Sequence, residues 1–196
     1  MTPEQEAEVL ALMRRARERD RGYASFFGWA IDRDLEELGV VRALAESLDA
    51  DGGSFFGELR ARGRGQDPPD VEGVDKTGKR TAFEVTELVD GEAIRAFKAG
   101  RHYDYAEWNQ EKFLAVLSAR LQVKAEGRAK LKGGPYGGGY VIVVHTDEPA
   151  LPAEIVADHL RGRLFTSLAG VHRAFLLLSY DPRQQRCAYF DLAAGA

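Results

Sequence analysis

Acidic side chains are concentrated in one short stretch of the chain, QDPPDVEGVDKTGKRTAFEVTELV, which covers residues 66–89. Residues 70–76 and 80–89 have the composition of short strands, and Lys76-Thr77-Gly78-Lys79 between them has the composition of a turn. Carboxylates that share one face of such a hairpin repel each other, take up a proton or hold a divalent cation through its preferred oxygen ligands. The stretch is therefore a candidate metal site with three candidate ligands: Asp70, Glu72 and Glu84.

The register of the hairpin decides which of these carboxylates meet. A bulged turn with Gly78 in the left-handed conformation places Glu72 opposite Glu84. The same register places Asp70 opposite Thr86, and opposed residues point to the same face with Cβ atoms roughly 5 Å apart. A two-residue turn would instead put Asp70 and Glu84 on opposite faces of the sheet. The convergence of the carboxylates therefore depends on the register of the bulged turn.

The hairpin resembles the core motif of the PD-(D/E)XK nuclease superfamily, through Pro69-Asp70, a turn and then Phe83-Glu84-Val85-Thr86. In that family an Asp begins one strand and a Glu-x-Lys lies on the next, and the resemblance covers roughly residues 66–145. It implies a restriction-endonuclease-like fold, with a central mixed sheet flanked by helices. It also implies hydrolysis of phosphodiester bonds, with Mg²⁺ or Mn²⁺ held by Asp70 and Glu84 and assisted by a lysine.

Thr86 stands where the motif has its lysine, and a hydroxyl could only orient a water molecule. In some families similar to this one the lysine has moved to the neighbouring helix, which makes Lys124 a candidate. It continues one stripe of a predicted helix, formed by Gln110, Leu114, Leu117 and Leu121. A lysine late in a helix also commonly lays its methylenes over apolar surface and sends its ammonium to water. The resemblance thus implies a catalytic set of Asp70, Glu84, Thr86 and Lys124, a metal set of Asp70, Glu84 and Glu72, and Glu37 as an acid that could complete the site.

Basic residues flank the acidic stretch in the sequence. Arg60, Arg62 and Arg64 precede it, and residues 120–132 carry five cations against one acid, Glu126. Basic patches beside carboxylates suit a site that handles phosphate, although each patch alone is equally typical of a solvated face. The formal net charge of −4 argues against a protein that coats nucleic acid through bulk electrostatics.

The remaining pattern predicts helices that alternate with strands in a single α/β domain, 1–196. It divides into N-terminal helices, 1–62, and a nuclease-like core, 66–191. Helices are predicted over 3–20, 31–48, 105–131 and 152–161, with a short helical piece over 55–60. A loop is predicted over 91–104, and further strands over 140–144, 172–180 and 185–191.

Size and composition limit the protein class. The chain has 196 residues, of which 44% are apolar, enough for one core. Its longest apolar runs fall far short of the roughly 20 residues that span a bilayer as a helix, so no membrane partner is expected. The single cysteine, Cys187, cannot form a disulfide within the chain, which suits a cytoplasmic location.

Two functions follow from these patterns. The first is a metal-dependent nuclease that acts on DNA or RNA, with DNA the expected partner. The second is the same fold without catalysis, serving as a nucleic-acid-binding or protein-interaction module, which the missing motif lysine favours. A third possibility is a globular domain whose hairpin acids are merely solvated. The sequence leaves open which of these applies and whether the chain forms a homodimer.

Overall fold

A computed structural model describes residues 2–19, 33–63, 65–102, 107–163, 165 and 168–193. The α-helices of these ranges are α1 (Pro3–Arg19), α2 (Arg33–Ala50), α3 (Gly91–Lys98), α4 (Gln110–Gly127) and α5 (Ala153–Leu160). The strands are β1 (Phe56–Ala61), β2 (Val71–Asp75), β3 (Arg80–Glu87), β4 (Gly139–Thr146), β5 (Arg173–Asp181) and β6 (Arg186–Ala193). Every helix in the described part of the chain is too short or too polar to cross a bilayer.

The strands form one six-stranded mixed sheet in the order β1-β2-β3-β4-β5-β6. The first three strands form an antiparallel meander, β3, β4 and β5 are parallel neighbours, and β6 returns antiparallel to β5. A parallel pair needs a crossover connection, and α4 lies in the crossover between β3 and β4 while α5 lies in the one between β4 and β5. The predicted mixed sheet flanked by helices is confirmed at this level.

The two faces of the sheet bury separate apolar clusters. The face covered by α2 packs Val40, Val41, Leu44 and Leu48 against odd-numbered strand residues such as Phe83 and Val143. The opposite face packs Phe113, Leu117 and Leu121 of α4 against even-numbered residues such as Ala82 and Ile142. Because side chains alternate along a strand, the even-numbered residues of β3 point towards α4. This rule brings Glu84 to the α4 face.

The turn of the predicted hairpin has the expected glycine conformation but another register. Gly78 has a φ of 80°, as predicted. The register pairs Val71 with Phe83 and Glu72 with Ala82, so the predicted pairing of Glu72 with Glu84 is wrong by two residues. Oδ1 of Asp75 accepts hydrogen bonds from the backbone N–H groups of Thr77 and Lys79, each at 2.8 Å. These bonds fix a turn that is closed by Asp75 and Lys79. A shift of two residues preserves the faces, so the carboxylates stay on the predicted side.

The same register overturns the predicted pairing of Asp70 with Thr86. The backbone N–H of Asp70 donates to the carbonyl of Phe83 at 3.1 Å, immediately before β2 begins. Asp70 therefore lies beside Glu84 rather than beside Thr86. The two acids of the family motif come closer together than the predicted register would place them.

The short helical piece predicted over 55–60 is wrong, because these residues form most of β1. Phe56 packs against Phe83 with ring centroids 4.6 Å apart, and Arg60 pairs with Glu72. The free edge of β2 offers backbone partners that override the local helical pattern. The predicted division into N-terminal helices over 1–62 therefore ends in a strand.

The loop predicted over 91–104 contains helix α3. Oδ1 of Asp90 caps it by accepting from the N–H groups of Glu92 and Ala93, at 2.8 and 3.3 Å. Residues 103–104 lie outside the described residues, as do residues 20, 31–32 and 105–106 of the predicted helices. The other predicted helices and strands are confirmed with shifts of a few residues at their ends.

Replacing Leu117 by alanine tests the packing of α4 on the sheet. Leu117 is fully buried, so Leu117→Ala should lower the free energy of unfolding by about 3 kcal/mol through lost contacts and a residual cavity. Leu35→Ala is the matched control, because that side chain on α2 is 48% exposed and should cost less than about 1 kcal/mol. Urea unfolding of both variants measures the difference, and equal losses would contradict this packing.

Candidate functional site

Three charged side chains meet on the α4 face of the sheet. Nζ of Lys124, in the last turn of α4, lies 3.3 Å from Oδ2 of Asp70. The same ammonium donates a hydrogen bond to Oε2 of Glu84. Asp70 and Glu84 are 6% and 5% exposed, so bulk water hydrates neither carboxylate appreciably. The predicted arrangement of Lys124 with both motif acids is therefore present.

Backbone contacts hold these side chains in place. The N–H of Val85 donates to Oδ2 of Asp70 at 2.8 Å, which fixes the carboxylate against β3. The hydroxyl of Tyr140 donates to the backbone carbonyl of Lys124 at 2.7 Å and ties the end of α4 to β4. The N–H of Lys132 donates to the carbonyl of Pro68 at 2.8 Å, which anchors the segment before Asp70. Each charged group is thus attached to a regular element.

The charges of the site depend on one another. Burial raises the pKa of Glu84, and the negative charge of Asp70 raises it further, while Lys124 opposes the shift. Burial works against the charge on Lys124, but Asp70 and then Glu84 outweigh it, so the pKa of the ammonium is raised. Lys124 therefore stays protonated at neutral pH, and its charge helps Glu84 to ionise.

The donor set fits a hard divalent cation that binds two protein carboxylates and keeps several waters. Among the described residues, Oε1 of Glu84 is buried and has no hydrogen-bond partner, which is costly unless a ligand satisfies it. Mg²⁺ is commonly held by one or two carboxylates together with water and substrate phosphate. No group of three or more His, Cys, Asp or Glu side chains suited to a metal occurs in the part of the chain that the structure describes. A cation here would therefore rely on Asp70 and Glu84.

Glu37 of α2 lies at the border of the site. It is 8% exposed and pairs with Nε of Arg33 at 2.7 Å. Burial first, and the charge of Asp70 second, raise the pKa of Glu37 to about 7. Glu37 and Asp70 line the same cleft of about 360 Å³, together with Asp67. The sequence indicated Glu37 as an acid on the second predicted helix that could complete the site, and the structure places it in the same cleft as Asp70.

Glu72, the third predicted ligand, lies in a different set of contacts. Its carboxylate accepts hydrogen bonds from Arg60 at 2.8 Å, from Arg62 at 3.1 Å and from Arg80. The bonds from Arg80 act first, and with Arg60 they lower the pKa of Glu72 to about 2 against the effect of burial. Guanidinium groups thus occupy both oxygens of Glu72, whereas Lys124 contacts Asp70 and Glu84.

Thr86 lies two residues beyond Glu84 on β3 and points to the same face. It pairs with Val144 of β4 and is half-buried. Thr86 is therefore on the side of the sheet that its predicted role of orienting water requires. It lies two residues farther along β3 than Glu84.

Comparisons with protein-family models, with curated proteins and with solved structures find no match for this chain.

Replacing Glu72 by glutamine tests its role as a buried counter-ion. Glu72→Gln leaves three guanidinium groups without their carboxylate and should lower the free energy of unfolding at pH 7 by about 3 kcal/mol. Because the pKa of Glu72 falls from 4.5 to about 2 on folding, this stabilisation is complete above pH 4.5 and disappears as the pH falls towards 2. Urea unfolding at several pH values should show the two proteins converging in acid. A difference independent of pH would contradict the assignment.

Proposed function

We propose that this chain is a nuclease of the PD-(D/E)XK type, with a restriction-endonuclease-like core that hydrolyses phosphodiester bonds of DNA or RNA with Mg²⁺ or Mn²⁺. One observation carries the proposal: the ammonium of Lys124 contacts both Asp70 and Glu84 on one buried face. A lysine that only covered apolar surface would send its ammonium to water. Lys124 instead takes the place of the lysine that is missing at Thr86.

The order of the elements supports the same proposal. A helix, α2, precedes a three-stranded meander that carries both motif acids, and α4 then crosses to a parallel strand, β4. The hairpin, the long helix and the buried strand thus follow one another as the resemblance implies. The two acids come from adjoining strands, and the lysine comes from the helix packed over them.

Each residue has a chemical task in this proposal. Asp70 and Glu84 would hold the cation, which supplies polarisation of the phosphate and a lowered pKa for bound water. Lys124 would donate hydrogen bonds to a phosphoryl oxygen and stabilise the charge that develops there. The hydroxyl of Thr86 would orient water. The unpartnered Oε1 of Glu84 is the oxygen with most to gain from a ligand.

A non-catalytic role remains the second candidate, and one observation favours it. Lys124 donates to both Asp70 and Glu84 and offsets one of their two negative charges without any metal ion, so the three groups form a buried ion-pair network as they stand. A protein that kept this network only for stability could bind nucleic acid without cleaving it. This alternative and the nuclease differ in turnover rather than in fold.

The deciding assay is cleavage of DNA and RNA by the purified protein in Mn²⁺. Glu84→Gln keeps the size of the side chain but removes its charge, and should reduce the rate at least about 100-fold because the cation loses a ligand. Lys124→Met should reduce the rate to a similar extent. Glu154→Gln is the matched control, since this exposed acid on α5 lies outside the site.

Three outcomes separate the candidates. Cleavage by the wild type and by Glu154→Gln, with loss in Glu84→Gln and Lys124→Met, supports the nuclease. Equal activity in all four proteins points to a contaminant and rejects the site. Binding of nucleic acid that Glu84→Gln leaves unchanged, without turnover in any protein, selects the non-catalytic module.

A further inference from the structure

A second charged group adjoins the candidate active site on the same sheet face. We call Arg60, Arg62 and Arg80 around Glu72 the arginine cluster. Arg60 of β1 pairs directly with Glu72 across the strands, and Arg80 comes from β3. Arg62 follows β1, and its backbone N–H donates to the carbonyl of Asp70 at 3.0 Å. Glu72, at the centre of the cluster, is two residues from Asp70 along the chain.

The arginine cluster carries more positive charge than its carboxylate neutralises. Three guanidinium groups surround one carboxylate, and the side chain of Arg62 is only 12% exposed. Nε of Arg62 is buried and lacks a hydrogen-bond partner among the described residues. Positive charge that is partly removed from water is costly unless an anion compensates it. The cluster is therefore prepared for an additional anion.

Arg60 makes the cluster accessible from outside, while Arg80 is held in place. Arg60 contacts Glu72 through Nη2 alone, and its side chain is 65% exposed, so its other donors can reach a ligand. Nη1 of Arg80 donates to the carbonyl of Gly133 at 2.7 Å, and its guanidinium lies 4.9 Å from the centre of the Tyr136 ring. These contacts fix Arg80 without neutralising it. The guanidinium fork is well suited to phosphate oxygens.

We propose that the arginine cluster binds the phosphate next to the scissile one, so that the substrate of this site is a nucleic-acid strand rather than an isolated phosphodiester. This inference rests on the proposed nuclease function and adds a positioning site to it. Glu72 orients the three arginines, and Arg60 supplies the most accessible donors. The role of Glu72 is thus to hold the arginines and not to hold the cation.

The spacing of the strand residues supports this arrangement. Asp70 and Glu72 are two residues apart on one face, which corresponds to roughly 7 Å along an extended chain. Neighbouring phosphates of an extended nucleic-acid strand are separated by a similar distance. A strand that places one phosphate beside Asp70 and Lys124 can therefore place the next one beside the arginine cluster.

Binding without cleavage tests the inference directly. Fluorescence anisotropy of a short fluorescein-labelled single-stranded DNA, measured in EDTA, should show roughly tenfold weaker binding for Arg60→Gln. The slope of log K against log salt should fall by about 0.7, the loss of one phosphate contact with a single strand. Arg60→Lys keeps the charge and should bind nearly as tightly as the wild type. Arg183→Gln is the matched control, because this exposed arginine lies in the turn between β5 and β6.

A cleavage ratio separates this inference from the proposed function. In Mn²⁺, Arg60→Gln should lower the rate on the DNA strand relative to the rate on bis(p-nitrophenyl) phosphate, which has a single phosphate, whereas Glu84→Gln should lower both rates. Unaltered DNA affinity in Arg60→Gln, or equal losses in Arg60→Gln and Arg183→Gln, would overturn the arginine cluster as a phosphate site. If the wild type cleaves neither substrate, the nuclease proposal fails, while the anisotropy measurement still decides the cluster. Circular dichroism of Arg60→Gln should match that of the wild type, since Arg62 and Arg80 still hold Glu72.

Discussion

The compensation of two buried carboxylates by one ammonium organises this protein. Asp70, immediately before β2, and Glu84 of β3 would repel each other on a buried sheet face, and the fold brings Lys124 from α4 to offset part of their charge. The apolar residues of α4, including Leu117 and Leu121, set the height of the ammonium over the sheet. Packing and electrostatics therefore specify the same geometry, because any displacement of the helix would leave both acids without a counter-ion.

The strand pairing arranges the charges of this face in two neighbouring positions. In one, Asp70 lies beside Glu84 and two acids share a single lysine; in the other, Glu72 pairs with Arg60 and one acid is shared by several arginines. The first position has an excess of negative charge and suits a cation, and the second has an excess of positive charge and suits an anion. A metal with a bound phosphate and the next phosphate of the same strand would compensate both excesses at once.

The residues that meet at the candidate site could be selected from the sequence, but the strand register that brings them together could not. Alternation along β3 and the stripe on α4 were enough to bring Glu84 and Lys124 to one face. The register depended on the side chain of Asp75, which accepts two N–H groups of the turn, and a composition pattern does not include that contact. The partners of Glu72 were missed because β1 was predicted as helix. The sequence did contain a signal for α3, because Asp90 before Gly91 is a typical N-cap residue.

Because Lys124 lies on α4, movement of this helix alone can separate the ammonium from Asp70 and Glu84. A lysine on β3 would move together with Glu84, whereas the ammonium of Lys124 belongs to α4, and Asp70 and Glu84 are held by β2 and β3. Local opening that detaches the helix end would separate the groups while the meander stays folded, and the tie from Tyr140 to the Lys124 carbonyl opposes such opening. The lifetime of the assembled site is therefore set by the docking of one helix end, and partial unfolding would abolish the site before the chain as a whole loses its structure.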